Sequence, residues 1–334
     1  MVEKVNVELL LVRKLVEDYL KSRVSDIVEL TGDASSRKYY RFSHFEKSFV
    51  ACLGSPFKNE EDSDFLKVQK LLSSNDINVP KIFSIKPAVG FFIEEDLGDS
   101  TLVSYLGGEA SDETTVSCYK KIIDILIRLQ SVDVRETIVS TRSFDFEKFS
   151  DESKMSVEYF LQSYLGAHEN DLSDHAFLRE INLINETLAN HQGKVFSHRD
   201  LHSRNIMVKN GEYFLIDFQD ARLGLPFYDL VSLLEDCYYP LSFEKRESII
   251  KYYVDGSPLM AGYSRDEFDF LYNLSAIQRI FKALGSFTFI NETRNDDRYL
   301  KYVGVGVHRL LELLSSQDEL KSFYKILKRS YHEN

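Results

Sequence analysis

The segment Val195–Asp220, VFSHRDLHSRNIMVKNGEYFLIDFQD, decides how the rest of the chain is read. Asn210-Gly211 stands between two β-prone runs, Ile206 to Lys209 and Glu212 to Ile216, the strongest short signal for a two-residue type I′ hairpin. Counting outward from that turn sets Lys209 opposite Glu212, Val208 opposite Tyr213, Met207 opposite Phe214, Ile206 opposite Leu215 and Asn205 opposite Ile216. Asn205 and Asp217 are therefore expected at one open end. Paired residues have Cα atoms roughly 4.5–5.5 Å apart, so an amide oxygen and a carboxylate could share a hard cation there. Strict alternation would send the two side chains to opposite faces, so the ladder must break at that end. Asp200 precedes Asn205 in the loop before the hairpin, and that loop could return it to the same place. Asp and Asn also cap strand ends for purely structural reasons, so the weight falls on the combination.

The bulk numbers permit an ordinary globular protein. At 334 residues the chain is about twice a common domain, which predicts two lobes. The composition, 43% hydrophobic and 28% charged, is unremarkable for a folded protein. A net charge of -12 argues against a nucleic acid or an anionic membrane as partner. Cys52, Cys118 and Cys237 lack the paired spacing of a zinc site or a disulfide framework, which points to free thiols in a reducing compartment. No run approaches the ~18 apolar residues of a membrane span, and the first residues do not resemble a signal peptide. A cytoplasmic location is expected.

Along the chain, Leu9, Val12, Leu15, Val16 and Tyr19 form the apolar stripe of a helix over residues 5–21. The short runs DIVEL, KYYRF and KSFVACL between Asp26 and Leu53 read as an antiparallel meander. A helix is expected from about Asn59 to Ser73, followed by two more strands in KIFSIK and GFFIEE. Beyond Asp96-Leu97-Gly98 the helical period dominates, with Tyr119, Ile122, Ile123 and Leu126 in one stripe and Phe177, Ile181, Ile184 and Leu188 in another. The reading is α+β: a β-rich lobe over 1–97 and a larger helical lobe over 98–334, interrupted by the hairpin.

His198-Arg199-Asp200, then Asn205, then Asp217-Phe218 follow the order H-R-D-x-x-x-x-N and D-F associated with phosphoryl transfer. In that chemistry Asp200 would accept or orient the acceptor's hydroxyl proton, while Asn205 and Asp217 would hold Mg²⁺ against nucleotide phosphates. A carboxylate with an ordinary pKa of about 3.9 is already ionised for this at neutral pH.

At these residues the chain resembles the aminoglycoside phosphotransferase and choline kinase group, the small-molecule branch of the protein-kinase-like fold. Thr31 to Arg41, TGDASSRKYYR, resembles that group's nucleotide-covering loop; Phe92 to Gly98, FIEEDLG, its hinge; and Asp217 to Leu234, DFQDARLGLPFYDLVSLL, its metal-binding Asp with the helix that supports the catalytic loop. With the late AIQRIFKALGSF, the chain is most similar to the anomeric sugar kinases that phosphorylate N-acetylmuramate and N-acetylglucosamine in cell-wall recycling. The resemblance implies a two-lobed fold and ATP with Mg²⁺ as cofactors. The implied acceptor is the hydroxyl of an amino sugar, an aminoglycoside or a choline-like amino alcohol being the alternatives. It implies nucleotide contacts from Gly32, Ser35, Arg37 and Arg41 in the loop and from the backbone of Glu95 to Leu97. Asp229 would anchor the loop backbone, and His202, which stands where protein kinases carry a Lys, Asp220, Gln278 and Lys282 would lie toward the acceptor. Gln278 and Lys282 share one face of a predicted helix with Gly285.

One departure is plain: the strand expected to carry a phosphate-binding lysine reads Ala51-Cys52-Leu53 at its centre. Arg37, Lys38 and Arg41 are the nearest cations, Arg37 and Arg41 sharing a strand face with Tyr39. The missing lysine opens the alternative of a nucleotide-binding pseudokinase, against which the complete Asp200, Asn205 and Asp217 set weighs. A protein kinase is disfavoured because only eleven residues separate Asp217 from Asp229, too few for an activation segment.

Overall fold

A computed structural model describes residues 7–30, 37–108 and 110–332. Helix α1 (Val7–Leu20) is followed by strands β1 (Ile27–Leu30), β2 (Lys38–His44) and β3 (Lys47–Leu53), helix α2 (Asp64–Ser73), and strands β4 (Ile82–Lys86) and β5 (Phe91–Glu95). The five strands form one antiparallel sheet in the order β1-β2-β3-β5-β4. Alternation gives the sheet two apolar faces. Tyr40, Phe42, Ala51, Phe91 and Ile93 pack with Val12, Leu15 and Val16 of α1. Across the sheet, Phe92 stacks on Phe65 of α2 with ring centroids 5.0 Å apart. Helix α2 starts later than the sequence pattern predicts, because Asn59 and Asp62 close a short 3₁₀ turn over Glu60–Asp62 before Ser63 caps the helix proper.

The helical part contains α3 (Leu102–Leu106), α4 (Asp112–Gln130), α5 (Phe146–Ser156), α6 (Glu169–Leu172) and α7 (His175–Ala189). Then come β6 (Val195–Ser197), the hairpin β7 (Ile206–Lys209) and β8 (Glu212–Leu215), and β9 (Arg222–Gly224), which pairs with β6. Helices α8 (Pro226–Leu234), α9 (Phe243–Gly256), α10 (Arg265–Arg294), α11 (Val303–Ser315) and α12 (Lys321–His332) complete the chain. The hairpin turn has φ of 54° at Asn210 and 79° at Gly211, the two left-handed residues that a type I′ turn requires. The ladder ends at Leu215, and Asp217 beyond it is also left-handed, with φ 63°.

Two compact units result, residues 1–100 with 207–220 and residues 101–206 with 221–334. The first differs from a simple division at residue 97, since the hairpin belongs to the sheet unit although it lies far along the chain. Local bonds account for this: the Val208 N–H donates to the Ser100 carbonyl at 2.7 Å and the Leu215 N–H to the Asn78 carbonyl at 2.9 Å. Lys209 Nζ reaches Glu95 Oε1 at 2.7 Å, and Phe218 stacks on Phe65 at 5.0 Å. Among the described residues, no helix is long and apolar enough to cross a membrane.

Candidate active site

In the helical unit, β6 runs antiparallel to β9 so closely that a Cβ at Gly224 would lie 2.8 Å from that of Ser197. The chain then leaves β6 through Arg199, whose φ of 81° is rare for a residue with a side chain, and something must hold it there. Asp229 of α8 does so. Its buried carboxylate accepts the Ser197 hydroxyl at 3.0 Å and the backbone N–H groups of His198 and Arg199 at 2.6 and 3.0 Å. Asp236, just beyond α8, accepts the N–H groups of Ser203 and Tyr238 at 2.9 and 2.8 Å, fixing the far half of the loop. Within the loop, Asn205 Nδ2 donates to the Asp200 carbonyl at 2.9 Å.

That scaffold presents the Asp200 carboxylate to a cluster of cations. Lys282 Nζ lies 2.7 Å from Asp200 Oδ1 and Arg279 Nη2 3.4 Å from the same oxygen, both from α10, while Arg199 Nε is 3.8 Å from Oδ2. Burial pushes the Asp200 carboxyl up, but Lys282, Arg199 and Arg279 together outweigh it and hold the group well below the usual carboxylate range. Burial wins the opposite contest on Lys282, whose ammonium is pushed down despite Asp200. Asp200, His202, Asp236, Tyr238, Arg279 and Lys282 line a cavity of about 150 Å³ in this unit. Burial, then the Arg279 charge, push the His202 imidazole down to about 3, so it is neutral at physiological pH. Its ring sits edge-on to Tyr238, with centroids 5.1 Å apart.

In the sheet unit, Arg41 is tied to the segment after β5: its guanidinium meets Asp96 at 2.7 Å and Asp99 at 2.9 Å. Burial pushes the Asp96 carboxyl up, yet hydrogen bonds from Ser48, Arg41 and the Gly98 N–H hold it below its ordinary value. The Glu95 N–H donates to the Lys81 carbonyl at 2.8 Å, and Lys209 Nζ donates to the Asp96 carbonyl at 2.8 Å. Leu97 is buried in the same segment. Arg37 places its guanidinium carbon 5.0 Å from the centre of the Phe65 ring. Gly32 and Ser35 lie outside the described residues. Asp217 is exposed and accepts from Gln219 Nε2 at 2.8 Å, and Asp220 sits half-buried in the turn that follows.

A family model described as the phosphotransferase enzyme family matches residues 26–267. The chain belongs to that family. An N-acetylmuramate/N-acetylglucosamine kinase of Neisseria meningitidis is 28% identical over 310 residues, covering 90% of each chain. A choline kinase of Streptococcus pneumoniae superposes with a TM-score of 0.60 at 16% identity, over 92% of this chain and 100% of that one. An aminoglycoside phosphotransferase solved as a ternary complex with streptomycin and ATP gives 0.60 at 15% identity, over 96% and 99%. The fold is thus the protein-kinase-like α+β fold, and the family with its kinase relatives makes the chain a phosphotransferase of the small-molecule kinase type.

The structure separates two residues that the sequence reading places together on α10. Lys282 reaches Asp200, but Gln278 is buried and donates to Glu152 Oε2 at 3.0 Å, away from the cavity lining. Gly285 likewise faces α5, where a Cβ would lie 2.7 Å from Ser156 Cα. The cavity side of α10 is Arg279, Lys282, Ala283 and Ser286, spaced three and four apart as helix geometry requires, so Arg279 lines the cavity and Gln278 does not. Asp236 and Glu152 carry no motif; only the seven-residue interval from Asp229 to Asp236, two helical turns, hints at a second clamp. For a metal, no group of three His, Cys, Asp or Glu side chains capable of holding one exists among the described residues. Asn205 directs its amide nitrogen to Asp200, which turns its oxygen elsewhere, and Asp217 offers an exposed carboxylate. An amide oxygen and an exposed carboxylate are each the hard oxygen donors that Mg²⁺ takes along with phosphate and water.

Proposed function

We propose that the chain is an ATP- and Mg²⁺-dependent kinase that transfers the γ-phosphoryl group to the anomeric hydroxyl of an N-acetylated amino sugar, in the cytoplasm. The observation that carries this reading is the cavity beside Asp200, whose anions are already matched. Glu235 pairs with Arg309 at 2.7 Å and Arg246 at 3.4 Å, Asp236 accepts two backbone N–H groups, and Asp200 has Lys282. A cationic aminoglycoside or choline would meet no uncompensated carboxylate there, whereas a neutral or anionic sugar finds donors and acceptors for its hydroxyl and amide groups. The names of the curated relatives agree with such an acceptor.

In this reading the acceptor O–H donates to Asp200 as the O–P bond forms and the bond from the γ-phosphorus to ADP breaks. A carboxylate held so firmly ionised is a weak base, which suits a loose transition state in which positioning and charge neutralisation matter most. Mg²⁺, held by Asn205 and Asp217, would neutralise phosphate charge. Lys282 supplies beside Asp200 the cation that His202, neutral, does not. The Leu97 backbone and its neighbours at the hinge would bind adenine, with Gly32, Ser35 and Arg41 completing the nucleotide site and Asp220 near the metal. The test is to incubate the chain with ATP, Mg²⁺ and N-acetylmuramate, N-acetylglucosamine, their methyl glycosides, choline and an aminoglycoside, reading products by ³¹P NMR. An anomeric phosphate is expected from the free sugars alone. Transfer to the methyl glycosides, or to none of the sugars, would overturn the reading. Asp200→Ala should abolish transfer with nucleotide binding retained, and Asp217→Ala should weaken Mg²⁺-nucleotide binding itself.

A further inference from the structure

In the cavity beside Asp200 the acceptors are spent and some of the donors are not. Of the lining carboxylates, Glu235 meets Arg309 at 2.7 Å and Arg246 at 3.4 Å and takes the Tyr272 hydroxyl at 2.9 Å. The two oxygens of Asp236 take the Ser203 and Tyr238 N–H groups. Asp200 Oδ1 takes Lys282 Nζ at 2.7 Å, so Arg279 Nη2, 3.4 Å from the same oxygen, comes second to it.

Arg279 of α10 and Ser232 of α8 line this cavity and are 7% and 2% exposed. Arg279 Nε donates to Ser232 Oγ at 3.1 Å. A guanidinium carries five N–H donors in one plane. Beyond that bond and the long contact to Asp200, the Nη hydrogens of Arg279 have no acceptor among the described residues. Ser232 is engaged through its oxygen, and its own hydroxyl hydrogen likewise has no acceptor among the described residues. Buried donors left unmatched cost free energy that a ligand with the right acceptors recovers. The bond from Nε fixes the plane of the guanidinium at the cavity wall. A fork so held pairs with a carboxylate through two parallel N–H···O bonds, a match that a neutral hydroxyl or amide cannot make. The Ser232 hydroxyl adds a third donor beside it.

We propose that Arg279 and Ser232 form a carboxylate subsite beside Asp200, which makes the preferred acceptor an amino sugar that bears an acid group. The proposal rests on the kinase reading above and narrows its acceptor to N-acetylmuramate over N-acetylglucosamine. The two sugars differ by a lactyl ether, which branches from the ring carbon next but one to the anomeric centre. One ring can therefore set its anomeric hydroxyl at Asp200 and its carboxylate at Arg279. The test is steady-state transfer by the whole chain, with ATP and Mg²⁺, to N-acetylmuramate, to its neutral lactyl methylamide and to N-acetylglucosamine. The wild type should favour the acid in kcat/KM by about 10- to 100-fold, the worth of a charged hydrogen bond, and should use the methylamide no better than N-acetylglucosamine. Arg279→Met should erase that preference through the KM for the acid, whatever change in kcat the acceptors share. Arg279→Lys, which keeps the charge and loses the fork, should restore part of it, and Ser232→Ala should reduce it less than Arg279→Met. A preference that survives in Arg279→Met, with all acceptors slowed alike, would tie Arg279 to Asp200 or to the transferred phosphoryl group and overturn the subsite alone. A wild type that uses none of the three acceptors would overturn the kinase reading with it. If Arg279→Met fails to fold, the wild type decides by itself: equal use of the acid and its methylamide would refute the proposal.

Discussion

Replacing Lys282 with Met tests the electrostatics of the cavity beside Asp200. The ammonium sits 2.7 Å from Asp200 Oδ1, with side-chain exposures of 11% and 19%. Coulomb's law at an effective dielectric of 20 gives about 6 kcal/mol for that separation. Most of this does not survive as net stability. Desolvation of the ammonium opposes it, which is why Lys282 is pushed down while Asp200 is pulled down, and Arg279 and Arg199 remain beside Asp200 when Lys282 is gone. The coupling expected from a double-mutant cycle of Lys282→Met and Asp200→Asn is therefore about 1–3 kcal/mol. The pH dependence has a definite sign. A depressed aspartate contributes stability that is present above the unfolded carboxylate pKa of about 3.9 and is lost as pH falls below it, so the penalty of Lys282→Met should be largest near pH 7 and shrink in acid. At the alkaline end, the buried lysine makes the wild type gain stability as pH rises, since the unfolded chain binds the proton more tightly, and the variant should lack that gain. Denaturant unfolding of the four proteins from pH 3 to pH 10 measures all of this. A coupling indistinguishable from zero at pH 7, or a penalty that grows in acid, would refute the reasoning.

Other perturbations have equally definite directions. Asp229→Ala strands the Ser197 hydroxyl and the backbone donors of His198 and Arg199, and should cost about 3 kcal/mol in urea unfolding; a loss under 1 kcal/mol would mean the loop after β6 is held otherwise. Gly285→Ala forces a methyl to within 2.7 Å of the Ser156 backbone, which no rotamer relieves, so a loss of about 1–3 kcal/mol and a lower melting temperature are expected. Glu94 keeps its proton in the folded state to about pH 8 while the unfolded carboxyl loses it near its ordinary value, so stability should fall across that interval by up to about 1.4 kcal/mol per pH unit. Glu94→Gln should flatten the slope, which a melting series against pH reads directly.

Some of this architecture was legible because local chemistry specifies it. Asn210 and Gly211 both need positive φ, so a type I′ hairpin follows from two letters. The meander follows from short β-prone runs divided by turn residues, whereas the place of Asp229 is implied only by the family resemblance. What failed to show was tertiary. The hairpin joins the sheet unit through Asn78 and Ser100, bonds to backbone groups whose identity the sequence does not advertise. Gln278 and Lys282 are four apart on one helix and still diverge, because α5 supplies Glu152 to one while the loop supplies Asp200 to the other.

The split between what a motif reveals and what it hides has a physical basis. Groups that must meet a ligand at fixed directions and distances are set by the backbone of a short loop, and Asp200 and Asn205 keep a fixed spacing through the Asn205 amide bond to the Asp200 carbonyl. A cation that neutralises charge has a looser requirement, since Coulomb attraction depends on distance rather than on which element delivers the charge, and long Lys and Arg side chains reach far. Lys282 comes from α10, about eighty residues beyond the loop it serves, while the motif's own cation position holds a neutral histidine. Cations in such a site are therefore to be sought by proximity in the folded chain, and their absence from the motif is no sign that the chemistry is gone.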